Sequence, residues 1–277
     1  LAAVDPVPDS PDPAPDPGLI ADAVLGRVKH YTIGFGRAGH TPSAMGSGVL
    51  IRDGDRHGIL TCAHVDSYIR NQKQPIGLIR LNRGPAEQFG MLYMDELFTS
   101  AAGEAPWNEG DVDIAFIHLR PDLVGNIAKD CSFLDIGMNF AKPEPSGYPT
   151  LIKAHSVFGL VEEFTGATTR ERGRATTPMK GVLTSGVLRQ LDKFSATLEC
   201  YAENIPDLPH SFGATSGGGM WRVYLLQRPD KALEVVHHRL LGIASREVRG
   251  SPPSIKCQGL GRIEALIEEV RRGERKS

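Results

Sequence analysis

The sequence has few cysteines, few aromatics and little net charge. Its four cysteines, Cys62, Cys131, Cys200 and Cys257, show no CxxC or CxxH spacing, which removes the paired ligands of a zinc site. A chain of 277 residues can bury a core without cross-links, so free thiols are expected. Net charge is −2, from 31 basic and 33 acidic residues. That balance excludes the basic field used by nucleic-acid binders and polybasic membrane anchors. No apolar run approaches the roughly 18 residues of a membrane-spanning helix. There is no basic end followed by an apolar run, so no intact signal segment is read. With the cysteine spacing, this points to a cytoplasmic setting. No internal repeat at a fixed period is present.

Residues 1–18, "LAAVDPVPDSPDPAPDPG", are rich in Pro and Asp and lack periodicity. Proline fixes φ and removes backbone donors, so an extended leader is expected, either a tether in a larger protein or a processing remnant. From about residue 28 the pattern turns strand-like. "VKHYTIGF", "SGVLIR", "HGILTCA", "IGLIRL", "MLYMDELF" and "DIAFIHL" are short, β-branched or aromatic, and punctuated by Gly, Pro, Asp or Asn. The Pro-rich "FAKPEPSGYPT" at 140–150 interrupts the series. It resumes with "HSVFGLVEEF", "MKGVLTSGVL", "SATLECYA", "GMWRVYLL" and "ALEVVHHRLLGIAS". The pattern predicts two antiparallel β units, over 19–145 and 146–277. At the end, "GRIEALIEEVRR" puts Ile263, Leu266, Ile267 and Val270 on one helical face, and that helix is expected to pack across the second unit.

The densest local signal is "HSFGATSGGG" at 210–219, a serine, Ser216, before three glycines. Such a run serves a loop tip, a bulge, or a backbone that must turn sharply beside a nucleophile. "GILTCAHV" ends an apolar strand at His64, and "DVDIAFIHL" puts Asp113 at the mouth of another. Singly, these are a strand-end histidine and a turn aspartate. Together they give the order His, Asp, Ser across both units, one of the known arrangements of the acyl-transfer triad. A hydroxyl is a weak nucleophile at neutral pH and needs a base beside it. An imidazole supplies the base, and a buried carboxylate fixes its tautomer.

"TCAHV" around His64, "DIAFIHL" from Asp113, "SGGG" from Ser216 and "LLGIASRE" at 240–247 resemble the trypsin-like (chymotrypsin-fold) serine proteases. The resemblance covers roughly residues 28–270. It implies an all-β fold of two six-stranded antiparallel barrels with a C-terminal α-helix, and a serine endopeptidase acting through an acyl-enzyme. His64 is then the general base, Asp113 its partner in preference to Asp111, and Ser216 the nucleophile. The N–H groups of Ala214 and Ser216 form the oxyanion hole, while His210, Ser245, Arg246 and Glu247 border the substrate. No metal or cofactor is implied, and the partner is a protein or peptide substrate, not nucleic acid or membrane. A sensor or effector domain in the same chain or operon is a candidate partner.

Two positions depart from the family pattern. Ala214 stands where glycine is usual. Alanine resists φ > 0, so either the turn is strained or the peptide is flipped with its N–H turned away. A flipped peptide would suit a catalytically silent domain that binds peptides or a partner protein. Thr215 replaces the aspartate that pairs with a new N-terminus in secreted digestive members, so that type of activation is not expected. His210 and Arg246 suggest an acidic or polar P1 side chain, against the alternative of an exposed loop histidine and an Arg246–Glu247 surface pair.

Other signals carry less. "GFGRAG" at 34–39 matches the dinucleotide pattern, but a turn and strand follow where a helix is needed. His237 and His238 are adjacent and face opposite sides of a strand. His118 is expected to be packed, and Cys62 to be a buried free thiol.

Overall fold

The structure, a computed structural model, describes residues 15–37, 43–72, 74–81, 87–93, 98–103, 108, 110–141, 143–146, 151–167, 169–171, 174–200 and 213–273. The chain enters through helix α1 (Pro17–Val28) and then builds the first sheet. Its strands are β1 (Thr32–Arg37), β2 (Ser43–Asp53), β3 (Arg56–Thr61), β4 (Ile76–Arg80), β5 (Glu87–Leu92), β6 (Thr99–Ala102) and β7 (Ile114–His118). They lie in the order β5-β4-β1-β2-β3-β7-β6, all antiparallel, and the short β8 (Leu134–Asp135) pairs parallel with β2. Among the described residues this sheet is a half-barrel with edges at β5 and β6. Helix α2 (Ala63–Arg70) follows β3, α3 (Pro121–Ile127) follows β7, and α4 (Ile136–Ala141) follows β8.

The second unit holds β9 (Leu151–Val161), a small hairpin of β10 (Thr169–Glu171) and β11 (Arg174–Thr176), then β12 (Lys180–Leu191), β13 (Ser195–Cys200), β14 (Gly219–Gln227), β15 (Leu233–Val248) and β16 (Ser254–Gly259). Six of these close into the ring β12-β13-β16-β15-β14-β9. Closure removes both edges, which would otherwise expose unpaired backbone groups. In β13, Ala196, Leu198 and Cys200 point inward while Ser195, Thr197 and Glu199 point outward, the period-two pattern of a half-buried strand. Val157, Met220, Leu241 and Ile255 join the three inward residues in the ring's core. A larger core spans both units: Phe158 and Leu160 of β9 belong to the same cluster as Ile33 and Phe35 of β1. The two antiparallel units and the C-terminal helix are the expected all-β architecture.

Both terminal helices depart from expectation. The extended leader expected over 1–18 and the strand pattern expected from about 28 leave helix α1 between them unannounced. Yet Asp16 caps it by accepting the Gly18 N–H, and Pro17 stands in its first turn, the usual start signals. It buries Val24 and Val28 and packs on the ring at β9, β12, β14 and β15. The final helix, α5 (Leu260–Gly273), buries the predicted Ile263, Leu266, Ile267 and Val270. It does not simply cross the second unit. It lies on β6 and β7 of the first sheet as well as β15 and β16. The reason is partly electrostatic: Arg271 Nε donates to buried Asp53 Oδ2 at 2.8 Å and Arg271 Nη2 to Oδ1 at 2.5 Å, at the end of β2. Among the described residues no helix is long and apolar enough to cross a membrane.

Candidate active site

Strands β3 and β7 are antiparallel, with Thr61 level with Ala115. The residues just past the end of β3 therefore face those just before β7, and this brings His64 to Asp113. Cys62 is the extended N-cap of α2, and His64 lies in that helix's first turn. The His64 backbone N–H, one of the donors a helix leaves unsatisfied at its start, bonds Asp113 Oδ1 at 3.0 Å. Its ring Nδ1 bonds Asp113 Oδ2 at 2.7 Å. A carboxylate only accepts, so Nδ1 carries the hydrogen and Nε2 presents a lone pair in the neutral ring. The Asp113 side chain is 8% exposed and that of His64 33%, so the acid is sheltered while the imidazole meets solvent. Asp111, the competing carboxylate, instead accepts the Asn108 N–H at 2.6 Å.

Ser216 sits on the turn into β14. Its carbonyl accepts the Ser47 N–H at 2.8 Å, and the next residue, Gly217, donates to Ala244 O at 2.7 Å. Gly217 has φ +87, and a Cβ there would lie 1.9 Å from Ser47 O and 2.2 Å from Thr61 Oγ1. The first glycine after the serine is thus required both by its backbone angle and by the closeness of β2 and β3. Ala244 O also accepts the Cys62 thiol at 3.0 Å. One carbonyl therefore ties the strand end that carries His64 to the turn that carries Ser216. The two turns also flank Gly46, where an added Cβ would be 2.5 Å from Val65 Cγ1 and 3.4 Å from Ser216 O. The Ser216 hydroxyl donates to Ser245 O at 3.4 Å.

Ala214 takes the strained alternative, with φ +65. Its flanking carbonyls are both held. Gly213 O accepts the Glu162 N–H at 2.9 Å, and Ala214 O accepts Ser47 Oγ at 3.0 Å. In a trans peptide the N–H points opposite to the carbonyl. Ala214 N–H is therefore aimed away from Glu162, and Ser216 N–H away from Gly218, whose N–H bonds Thr215 O at 2.8 Å. Neither the Ala214 nor the Ser216 N–H has an acceptor among the described residues. Thr215 is buried, its hydroxyl donating to Leu160 O at 3.3 Å.

A closed six-stranded ring and an antiparallel half-barrel meet here, with the histidine and acid from one and the serine from the other. The fold is chymotrypsin-like. Within this chymotrypsin-like frame, Ser245 turns its carbonyl toward Ser216. Arg246 lines a cavity of about 470 Å³ beside His64, and Glu247 lies level with Ile255 in β15. His210 lies outside the described residues. His118 is packed between the rings of Phe98 and Phe116. His237 is buried against Tyr224, whereas His238 stacks on Tyr31. Gly34 and Gly36 of "GFGRAG" lie in β1, and the next described element is β2. All four cysteines are buried free thiols. Cys62 Sγ, a His64 ring nitrogen and an Asp113 oxygen lie within 4.8 Å of one another, a set that could hold a metal ion. Burial, reinforced by the Asp113 charge, pushes the Cys62 thiol well above its ordinary range, which disfavours the thiolate a metal requires.

The reading of the sequence missed Ser47, Thr61, Gln258 and Arg262. Ser47 bonds the Ser216 and Ala214 carbonyls and accepts the Leu160 N–H at 2.7 Å. Gln258 Oε1 accepts the Asp113 N–H at 3.4 Å and Arg262 Nη1 at 2.5 Å. The only sequence signal of Ser47, Thr61 and Gln258 is polarity inside strands, and Arg262 reads as one more charged residue on the polar face of α5.

No protein-family model and no curated protein sequence matches this chain. Among solved structures it is similar to a serine endoprotease from Yersinia pestis, at 13% identity and a TM-score of 0.48, over 91% of this chain and 66% of that one. The chain thus spans 66% of the length of the Yersinia protein. It is also similar to the thermostable serine protease AL20 from an extremophilic microorganism, at 16% identity and a TM-score of 0.42, over 89% and 96% of the two chains. A protease from M. tuberculosis in its active form matches at 14% identity and a TM-score of 0.38, over 96% and 93%.

Proposed function

We propose that this protein is a serine endopeptidase of the trypsin-like kind. His64 Nε2 takes the proton of Ser216 Oγ as the oxygen bonds to the scissile carbonyl carbon. The imidazolium, held by Asp113, returns that proton to the leaving amine as the C–N bond breaks. Water then attacks the acyl-enzyme while His64 takes its proton, the ester bond to Ser216 breaks, and the serine recovers its hydrogen. The Ala214 and Ser216 N–H groups meet the charge that builds on the carbonyl oxygen, each contributing about 2.7–4 kcal/mol in comparable sites. An extended peptide lies along β15, which runs on from Ala244 to Val248 beyond its last pairing with β14 at Ile243.

The observation that carries this reading is the two-point hold of Asp113 on His64 beside a serine turn tied to the same strand end. The orientation of the Gly213–Ala214 peptide supports a ready anion site and weighs against the silent binding domain, whose best argument is the alanine itself. A fluorophosphonate probe tests it. The wild type is expected to label, Ser216→Ala not at all, and His64→Ala far more slowly. A folded wild type that takes up no probe and cleaves no peptide overturns the reading in favour of the binding domain.

A further inference from the structure

Asp113 is buried, but the described residues just ahead of it are not. Asn108, Gly110, Asp111 and Val112 are all exposed, and a Cβ on Gly110, at φ +92, would meet nothing within 4 Å. Among these residues no buried side chain fixes the approach to the acid. Polar side chains from the second unit hold it instead. Arg262, in the first turn of α5, donates to Gly110 O at 2.7 Å and to Asp111 O at 2.5 Å. Gln258 Nε2 donates to Asp111 O at 3.3 Å, and Gln258 Oε1 accepts the Asp113 N–H at 3.4 Å and Arg262 Nη1 at 2.5 Å. The same Nε2 lies 3.5 Å from Ser245 Oγ, on the residue whose carbonyl accepts the Ser216 hydroxyl. These partners fix the orientation of the amide, because a reversed one would turn its NH₂ toward two donors. Gln258 is itself firmly seated: it is buried in β16, level with Ser195 of β13 on one side and Ile243 of β15 on the other.

We propose that Gln258 and Arg262 are positioning residues that hold Asp113 in place for His64. This rests on the reading that His64, Asp113 and Ser216 form one reactive set. Neither residue touches a reacting atom; both act through the acid. The Asp113 side chain grips His64 in the first unit, and its backbone N–H is gripped by Gln258 in the second. The acid is therefore set between the two halves, and the glutamine that sets it also reaches Ser245 beside the serine. Arg262 supplies charge-assisted bonds to the two carbonyls and to the amide, so it stiffens an exposed loop that packing leaves loose. The tolerance at such a place is small, since a misplacement of about 1 Å can cost about 10²-fold in rate.

The test is a double-mutant cycle on fluorophosphonate labelling. Arg262→Gln is expected to slow labelling about tenfold or more, the scale of a hydrogen bond to a charged group, with the far-UV spectrum unchanged. Arg262→Lys keeps the charge but not the fork that reaches both carbonyls, and its rate is expected to fall between those two. In an Asp113→Asn background the acid's grip is already lost. There Arg262→Gln is expected to slow labelling less than about threefold, because residues that act through one another are not additive. An equal factor in both backgrounds, or no slowing in either, overturns the inference and leaves the protease reading intact. If the folded wild type takes up no probe, the protease reading fails, and nitrogen NMR of the neutral His64 ring decides the inference alone. The hydrogen is expected on Nδ1 in the wild type, and divided between Nδ1 and Nε2 in Arg262→Gln and in Gln258→Met. A ring unchanged in both variants overturns the inference.

Discussion

Asp113 holds His64 by both of its oxygens, one on the backbone N–H at 3.0 Å and the other on the ring Nδ1 at 2.7 Å. The acid therefore sets where the helix begins as well as which ring nitrogen is bare. In Asp113→Asn the amide can keep one contact but offers Nδ1 a donor or a weaker acceptor, which favours the wrong tautomer. Labelling by fluorophosphonate is expected to fall about 10³–10⁴-fold, with the far-UV spectrum unchanged. A loss of less than tenfold would remove Asp113 from the proposed machinery.

Ala214 tolerates φ +65 because the carbonyls on either side of it are pinned by Glu162 and Ser47. Glycine adopts that angle without a side-chain clash, so Ala214→Gly is expected to label at least as fast as wild type. A β-branched residue opposes the angle most. Ala214→Val is expected to slow labelling more than about tenfold, through loss of one oxyanion donor. Equal rates for all three would show that this N–H does not reach the reacting oxygen.

Two glycines with positive φ separate crowding from backbone strain. A Cβ on Gly217 meets Ser47 O at 1.9 Å, whereas one on Gly54, at φ +60, meets nothing within 4 Å. Gly54→Ala is expected to cost about 1 kcal/mol in urea denaturation, the strain alone. Gly217→Ala is expected to cost about 3 kcal/mol or more, because two strands must part. It is also expected to abolish labelling.

Burial, with the charges of Arg222 and Lys153 adding, lowers His155 from 6.5 to about 4. Between these two values the unfolded chain binds a proton that the folded chain refuses. Stability is full above about pH 6.5 and is lost as pH falls toward 4, with no further loss from this group below that. Urea midpoints measured across the window are expected to drop for wild type and to flatten in His155→Gln, which keeps an acceptor for the Arg222 Nε now 2.9 Å away.

Much of this molecule is written in alternation. "SATLEC" announces β13 because burial puts its apolar side chains on one face, whereas "DIAFIHL" announces β7 as a short apolar run buried on both faces. "SIKCQG" alternates too, with buried Ile255 and Cys257 either side of Lys256, but only two apolar residues mark it, and pairing within the closed ring makes it β16. Helix α1 was hidden behind the prolines that precede it, although its cap was legible at Asp16-Pro17. At the site, the histidine, acid and serine stand out because their chemistry is scarce. Ser47 and Ala244 do not. They act through a small hydroxyl and a backbone carbonyl, groups any loop could offer, and only the docking of two sheets gives them partners.

The flanking helices reach across the units: α1, ahead of the first sheet, covers the ring that follows it, while α5, after the ring, lies over β6 and β7 of the first sheet as well as β15 and β16. Neither half can be lifted out with its own lid. A piece stopping before β9 would take from α1 the strands β9, β12, β14 and β15 it packs on, and would strip β6 and β7 of their cover. The seam between the strand end that carries His64 and the turn that carries Ser216 is thus clasped from both sides. During synthesis it can lock only after Ile263 to Val270 have left the ribosome, so any chemistry at that seam waits for both units and the helix that follows them.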